Sequence, residues 1–361
     1  MAKVLSQSSQ TENAPSLSFP RATFAKLSPQ PFLLAHLQPS SATSTVTRPN
    51  GRRTDEFRTP TIHTDSLSHA DGSAVVRTGD TAVVCGVRGE ILMESDVPGY
   101  RVESSTQRED VYEGQGQSEV QNLGLLVPNL ELATGCSPKH LPGQPPSTLA
   151  QRLSVRILSL LHTSGLVRAD DLRIWYQAPT ATSGDEGPPP PEVKAFWTLY
   201  IDILFISLDG NPFDAAWSAV VAALANTRLP YAYWDVDREM ILCDDAVSRA
   251  RKLQLQSSPV TSTFSVFSVK NLESENNSGK EKTSWILADP DDFEEEVCKE
   301  SVVIALDCSK QSSVTQLEPK IFKLDKSGGV FVGKEQMREL VRLAVQRWKE
   351  WHELLGGMIG R

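Results

Sequence analysis

The stretch from Phe196 to Pro212 constrains the fold more than any other part of the chain. Phe196 to Leu208 (FWTLYIDILFISL) is its most apolar run. It falls short of the roughly 20 residues a membrane helix needs and carries Asp202 at its centre, so it reads as a buried strand. Asp209-Gly210-Asn211 follows as a turn. Pro212 to Ala225 then reads as a helix, with proline in its first turn, Asn211 as N-cap and an Ala/Val-rich surface suited to close packing on a sheet.

The rest of the chain supplies partners for that unit. Ser73 to Val76 and Thr81 to Val87 are β-rich runs joined by Arg77-Thr78-Gly79-Asp80, a hairpin whose glycine can take positive φ. Ser147 to His162 places Leu149, Leu153, Ile157, Leu160 and Leu161 on one helical face, with Ser147 as N-cap and Gly165 as stop. Strands are expected at Thr263 to Val269, Trp285 to Ala288, Val302 to Asp307, Ile321 to Leu324 and Val330 to Val332. A long helix is expected from Lys334 to Leu355, ended by Gly356-Gly357. Strands and helices in this order give an α+β fold of mixed sheets packed with helices.

Residues 1–47 are expected to be a mostly disordered extension, rich in Ser, Thr, Gln and Pro, with a docking helix at 24–37. Two breaker-rich or polar segments, 178–192 and 270–282, read as mobile insertions. Between them, 231–258 reads as a connecting segment. The polar N-terminus lacks the apolar stretch of a secretory signal, and the expected location is intracellular. The cysteines, Cys85, Cys136, Cys243, Cys298 and Cys308, show no metal-ligand spacing and read as reduced structural thiols.

Several patterns resemble catalytic motifs and lack the chemistry. Gly328 to Lys334 (GGVFVGK) fits G-x-x-x-x-G-K, but Glu335 stands where a phosphate-binding loop needs a Ser or Thr hydroxyl for magnesium, so a hairpin turn at Lys326-Ser327-Gly328-Gly329 is the simpler reading. The histidines form no H-E-x-x-H or triad setting. Asp235 and Asp237, with Asp244 and Asp245 nearby, could hold magnesium in principle, although acids in a turn are usually a solvated face. No cofactor is called for. A net charge of −9 at pH 7 excludes a free-standing polyanion binder, so any RNA contact must be local or shared with basic partners.

Four segments in order carry a family resemblance: Arg48-Pro49-Asn50-Gly51-Arg52, Glu56-Phe57-Arg58, Ala70-Asp71-Gly72-Ser73-Ala74, and Gly79 to Val87 (GDTAVVCGV). Together with Pro142 to Pro145, Leu199 to Gly210 and Pro259 to Val269, they resemble RNase PH-type domains, of the kind that form the ring of the eukaryotic RNA exosome. That resemblance implies an RNase PH-like fold (ribosomal protein S5 domain 2-like), with a first subdomain at 48–230 and a second at 259–355. It also implies that active members bind phosphate at a Gly-Gly-Thr-Arg-like turn after the central strand. This chain reads Gly210-Asn211-Pro212-Phe213 there: Phe213 brings no charge and Pro212 deletes one N–H donor. The acidic pair of active members has no counterpart in Ala250 to Val260, and Gly143 to Ser147 lacks their arginine.

The resemblance therefore implies a non-catalytic subunit. Its expected partners are other RNase PH-like ring subunits in a hetero-hexamer, S1/KH cap subunits, an associated processive exoribonuclease and RNA in the channel. The work would be rRNA maturation and mRNA turnover in nucleus, nucleolus and cytoplasm. Lys139, His140, Arg152 and Arg156 are the candidates for guiding the RNA backbone. The alternative is an active phosphate-dependent 3'-to-5' exoribonuclease using Asp235 and Asp237.

Overall fold

A computed structural model describes residues 19–38, 46–98, 100, 119–141, 147–178, 190–268, 284–309, 318–328 and 333–359. Residues 1–54 and 55–361 form two compact units. The first contains α1 (Arg21–Leu27) and α2 (Pro29–Leu37). A single helix was expected at 24–37; Ser28, at φ −140° and ψ 68°, separates the two instead. Proline at 29 bars its predecessor from helical geometry, which explains the break.

In the second unit the central strand is β6 (Glu192–Ser207), longer than the apolar run that announces it. Its last part alternates, with Ile201, Ile203 and Phe205 buried and Asp202, Leu204 and Ile206 exposed. The first sheet has the order β1-β2-β3-β6-β4, from β1 (Pro60–Thr64), β2 (Gly72–Thr78), β3 (Thr81–Met93) and β4 (Leu126–Leu132). β3 pairs antiparallel along one edge of β6 from Ala195 to Ser207. The other edge is shared end to end by β4, parallel against Leu199 to Phe205, and β5 (Arg173–Tyr176), antiparallel against Glu192 to Phe196. The expected hairpin is present as β2 and β3 with Gly79 in the left-handed region at φ 61°. Asp71 Oδ2 accepts from Gly89 N at 2.7 Å, which ties the loop before β2 to the middle of β3.

β6 runs into α5 (Pro212–Asn226), a helix buried on nearly every side between the two sheets. Its alanines let it approach closely. A Cβ on Gly72 would meet Thr227 Oγ1 at 2.3 Å, so glycine at 72 is what allows β2 to pass the end of this helix. Trp217, 1% exposed, donates from Nε1 to Pro259 O at 2.8 Å. The second sheet is antiparallel in the order β12-β11-β13-β14, built from β11 (Val260–Ser268), β12 (Ser284–Ala288), β13 (Glu300–Asp307) and β14 (Lys320–Ser327). α3 (Thr148–Ser164) covers β4 and β14. The last helix, α7 (Lys334–Ile359), covers β11 and β13, and Trp348 Nε1 donates to Ser258 O at 3.0 Å.

α3 has the boundaries its sequence announces. Ser147 Oγ accepts from Ala150 N at 3.1 Å, and Gly165 ends the helix at φ 57°. Ser147→Ala is expected to destabilise the chain by about 1 kcal/mol, measured by denaturant unfolding.

Some expectations need correction. Gly356-Gly357 does not stop α7, which continues to Ile359. Glycine ends a helix by adopting positive φ, and Gly356 does not, so it costs stability without breaking the helix. The 231–258 segment is structured: β8 (Tyr231–Asp235) and β9 (Met240–Asp244) form a hairpin, and β10 (Arg251–Lys252) pairs with β7 (Arg228–Leu229). Its short alternating runs are bounded by acids that resemble loop composition. Lys326 and Ser327, expected in a turn, remain paired with Val302 and Ser301 in β14, and the chain turns at Gly328, φ 104°. Two short helices escaped notice, α4 (Ala169–Leu172) and α6 (Asp292–Val297). Most of 178–192, all of 270–282 and the strand expected at 330–332 lie outside the described residues. All five cysteines are free thiols. Among the described residues no helix is long and apolar enough to cross a membrane.

Candidate functional site

The turn between β6 and α5 has the geometry that binds anions at helix N-termini: a strand end, left-handed residues, then backbone N–H groups at the start of a long helix. Gly210 has φ 68° and Asn211 φ 49°. Gly210 is obligatory, because a Cβ there would lie 2.4 Å from the carbonyl carbon of Asp291. The backbone that leads into α6 therefore presses directly on the turn.

That contact brings a carboxyl group with it. Glu295 Oε1 accepts a hydrogen bond from Asn211 N at 2.9 Å. The N–H that an anion would use is thus taken by a side chain of the chain itself. Burial pushes the Glu295 pKa up to about 7. Asp291 holds α6 in place with a capping box, its side chain accepting from Glu294 N and the Glu294 side chain accepting from Asp291 N.

Asn211 is the positional N-cap of α5, but its side chain makes no capping bond. Instead Nδ2 donates to Asp214 Oδ2 at 2.9 Å and Asp289 Oδ1 at 2.7 Å. A left-handed backbone at 211 points the amide away from the helix's own N–H groups, which is why the expected cap is not made. Asp214 also accepts from Thr263 N and Oγ1, and burial raises its pKa.

Arg58 closes the other side of the turn. Its Nε and Nη2 grip both oxygens of Asp289 at 2.9 and 2.8 Å, and Nη1 donates to Asp209 O at 2.7 Å. Thr81 Oγ1 donates to Gly210 O at 3.1 Å and accepts from Asp209 N at 2.9 Å. Burial alone would raise the Asp289 pKa, but the Arg58 guanidinium holds it well below the usual carboxylate range. Arg347 Nη2 donates to Arg58 O at 2.9 Å, which links α7 to the same network.

Phe213 is 2% exposed and belongs to the core. A guanidinium nevertheless stands beside it: Arg156 of α3 lies 4.2 Å over the ring centroid and reaches Asp325 Oδ2 at 3.4 Å. Burial lowers the Arg156 pKa. A guanidinium thus reaches position 213 from another element, which the local sequence does not reveal.

The other candidate residues are placed as follows. Lys139 Nζ pairs with Asp292 Oδ1 at 2.9 Å and Glu296 Oε1 at 2.5 Å, on the exposed side of α6. Lys139 and Arg156 thus flank the turn through different neighbours. Arg152 is exposed on α3, one turn before Arg156. His140 lies in a loop where its N donates to Ser137 O at 3.0 Å. Asp235 Oδ1 accepts from Asp237 N at 3.0 Å and closes the β8–β9 turn, while Asp244 pairs with Arg249. Among the described residues no cluster of His, Cys, Asp or Glu could hold a metal ion. Residues 143–146 lie outside the described residues.

Sequence reading missed Glu295, Asp289 and Asp214, and met Arg58 only as part of a motif. The one local signal was Asp291-x-x-Glu294, a capping-box spelling. It announces a helix start and gives no hint that the next carboxylate is directed at residue 211.

Comparison with known proteins agrees with this architecture. The model of the RNase PH family, described as "3' exoribonuclease family, domain 1", matches residues 56–230. The exosome complex component rrp43 of Schizosaccharomyces pombe is 32% identical over 328 residues, covering 91% of this chain and 95% of that protein. The exosome complex component Rrp42 of Methanothermobacter thermautotrophicus is 30% identical over 185 residues, about half of each chain (51% and 54%). Among solved structures, a chain of the Archaeoglobus fulgidus exosome with RNA bound to the active site superposes with TM-score 0.57 at 22% identity, covering 90% of this chain and 96% of that one. A chain of an archaeal exosome core gives TM-score 0.54 at 20% identity, and both likenesses speak for the fold. With a relative of this identity matched along nearly its whole length, and with the domain match over residues 56–230, the chain belongs to the RNase PH family.

Proposed function

We propose that the chain is a non-catalytic ring subunit of an RNA exosome, a wall of the RNA channel that supports 3'-to-5' RNA processing by an associated nuclease. The observation that carries the non-catalytic part is the Glu295 carboxyl on Asn211 N at 2.9 Å, with the α6 backbone against Gly210. Orthophosphate would have to displace the half-buried Glu295 side chain and approach two further carboxyls, Asp214 and Asp289, to reach the turn. Pro212 removes another donor. The exosome membership rests on the relative from Schizosaccharomyces pombe, the exosome complex component rrp43.

In this reading the partners are other RNase PH-like subunits in a hetero-hexamer, S1/KH cap subunits and a processive exoribonuclease. The setting is nuclear, nucleolar and cytoplasmic RNA turnover and rRNA maturation. Lys139, His140, Arg152 and Arg156 are the residues offered to the RNA backbone, by charge and without reading bases. Purification of the native chain with its companions tests the assignment. Several different RNase PH-like subunits in equal amounts are expected, and a hexamer of this chain alone would refute it. Phe213→Arg is expected to confer no phosphorolysis, because Glu295 still fills the site. Phosphate-dependent release of nucleoside diphosphates by that variant would count against the role given to Glu295.

A further inference from the structure

The β8–β9 hairpin turns its two faces to different surroundings. Strand alternation and the pairing register place Tyr231, Tyr233, Met240 and Leu242 on one face, and Ala232, Trp234 and Ile241 on the other. The second face is anchored: Ala232 and Ile241 pack against the core, and Lys194 Nζ lies 5.9 Å over the Trp234 ring. The first face is open, with Tyr231 43%, Tyr233 40% and Met240 46% exposed. Val236 in the connecting turn and Val247 just after β9 are exposed as well. Five of the sixteen large apolar side chains exposed among the described residues thus fall within residues 231–247, a concentration unlike the scattered single exposures normal on a protein surface.

This surface is held ready by the chain itself. Tyr231 and Tyr233 stack with 6.2 Å between ring centroids, and Arg249, paired with Asp244 Oδ2 at 2.5 Å, lies 4.2 Å over the Tyr231 ring. Engaged by two neighbours, Tyr231 is part of a fixed platform and not a free face for an inserted base. A protein that docks on such a platform loses little side-chain entropy there, and tyrosine and methionine are enriched at interface centres.

Charge selects the partner. Five carboxylates, Asp235, Asp237, Glu239, Asp244 and Asp245, stand here against two cations, Arg238 and Arg249. Both cations are taken, Arg238 by Asp235 at 3.8 Å and Arg249 by Asp244. Asp237, Glu239 and Asp245 have no ion pair among the described residues. Asp237 and Glu239 lie in the turn at one end of the strands, and Asp245 follows β9 at the other, about 17 Å away along five residues. Uncompensated negative charge therefore brackets the apolar face at both ends. RNA is repelled by such a rim, and a second copy would bring the same carboxylates against it. The complementary surface is a protein that is apolar at its centre and basic on either side.

We propose that the outer face of the β8–β9 hairpin is a docking surface for a different protein, whose apolar patch meets Tyr231, Tyr233 and Met240 and whose basic side chains meet Asp237, Glu239 and Asp245. The inference goes beyond the ring-subunit reading and does not rest on it, because the surface is complete within this chain.

The test uses the full chain purified from its own cells with its companions. A zero-length carbodiimide joins carboxylates to lysine amines in contact with them, and mass spectrometry maps the products. Products linking Asp237, Glu239 or Asp245 to a lysine of a different protein are expected. Amide exchange across residues 231–245 should be slower with that protein bound than after its release. Tyr233→Ala with Met240→Ser alters two exposed side chains, so the unfolding midpoint should hold while recovery of the crosslinked protein falls about tenfold. Asp237→Lys with Glu239→Lys should lower recovery comparably. Unchanged recovery of every companion in both variants would overturn the proposal. So would products that join these carboxylates to a second copy of this chain, or ultraviolet crosslinks of RNA to Tyr231 or Tyr233.

Discussion

Arg58→Ala is expected to lower the unfolding free energy by about 3–5 kcal/mol. The Arg58 side chain is 9% exposed and that of Asp289 1%, so neither charge has water to fall back on. Truncating the arginine removes the only opposite charge described beside the buried carboxylate, leaving it neutral donors such as the residue 58 N–H and Asn211 Nδ2, and also strips a donor from Asp209 O. The Asp289 pKa should then rise, because the group that holds it down is gone. A double variant, Arg58→Ala with Asp289→Asn, should recover part of the loss, since no uncompensated charge remains. Denaturant unfolding of the two variants and the parent measures this directly. A loss below about 1 kcal/mol for Arg58→Ala would mean the pair is solvated.

Glu295→Gln should make the chain more stable at alkaline pH. The folded pKa of Glu295 is raised from 4.5 to about 7. A raised carboxyl holds its proton more tightly in the folded state, so its contribution to stability falls as pH climbs through that window. Above the window the ionised group disfavours folding by up to about 3 kcal/mol. Glutamine keeps an oxygen for Asn211 N and cannot ionise. The variant should match the parent near pH 5, gain on it through neutrality and exceed it by up to about 3 kcal/mol at pH 8. An advantage that did not grow with pH would show that the carboxyl is not buried at the turn.

The fold was legible wherever local chemistry dictates local structure. Ser147 and Gly165 frame α3 because a hydroxyl cap and a left-handed glycine act within a few residues of themselves. The strand, turn and helix from 192 to 226 followed from apolar length, Gly210 and Pro212 for the same reason. Elements that depend on partners were hidden. β5 is four residues long and exists because β6 offers an edge. β8 and β9 exist because Asp235 closes the turn between them. The site was half legible: the turn and its lost donor could be read from Gly210 to Phe213. Its occupant could not, since Glu295 is distant in sequence and Arg156 reaches Phe213 from another helix.

The central claim is that the turn after β6 is closed to phosphate by the chain's own carboxyl group. Incubating the purified full chain, alone and with its ring neighbours, with RNA and orthophosphate tests it most directly. No nucleoside diphosphate attributable to this subunit is expected at any phosphate concentration. Phosphate-dependent release of nucleoside diphosphates that Asp235→Asn abolishes would contradict the account and restore the active exoribonuclease.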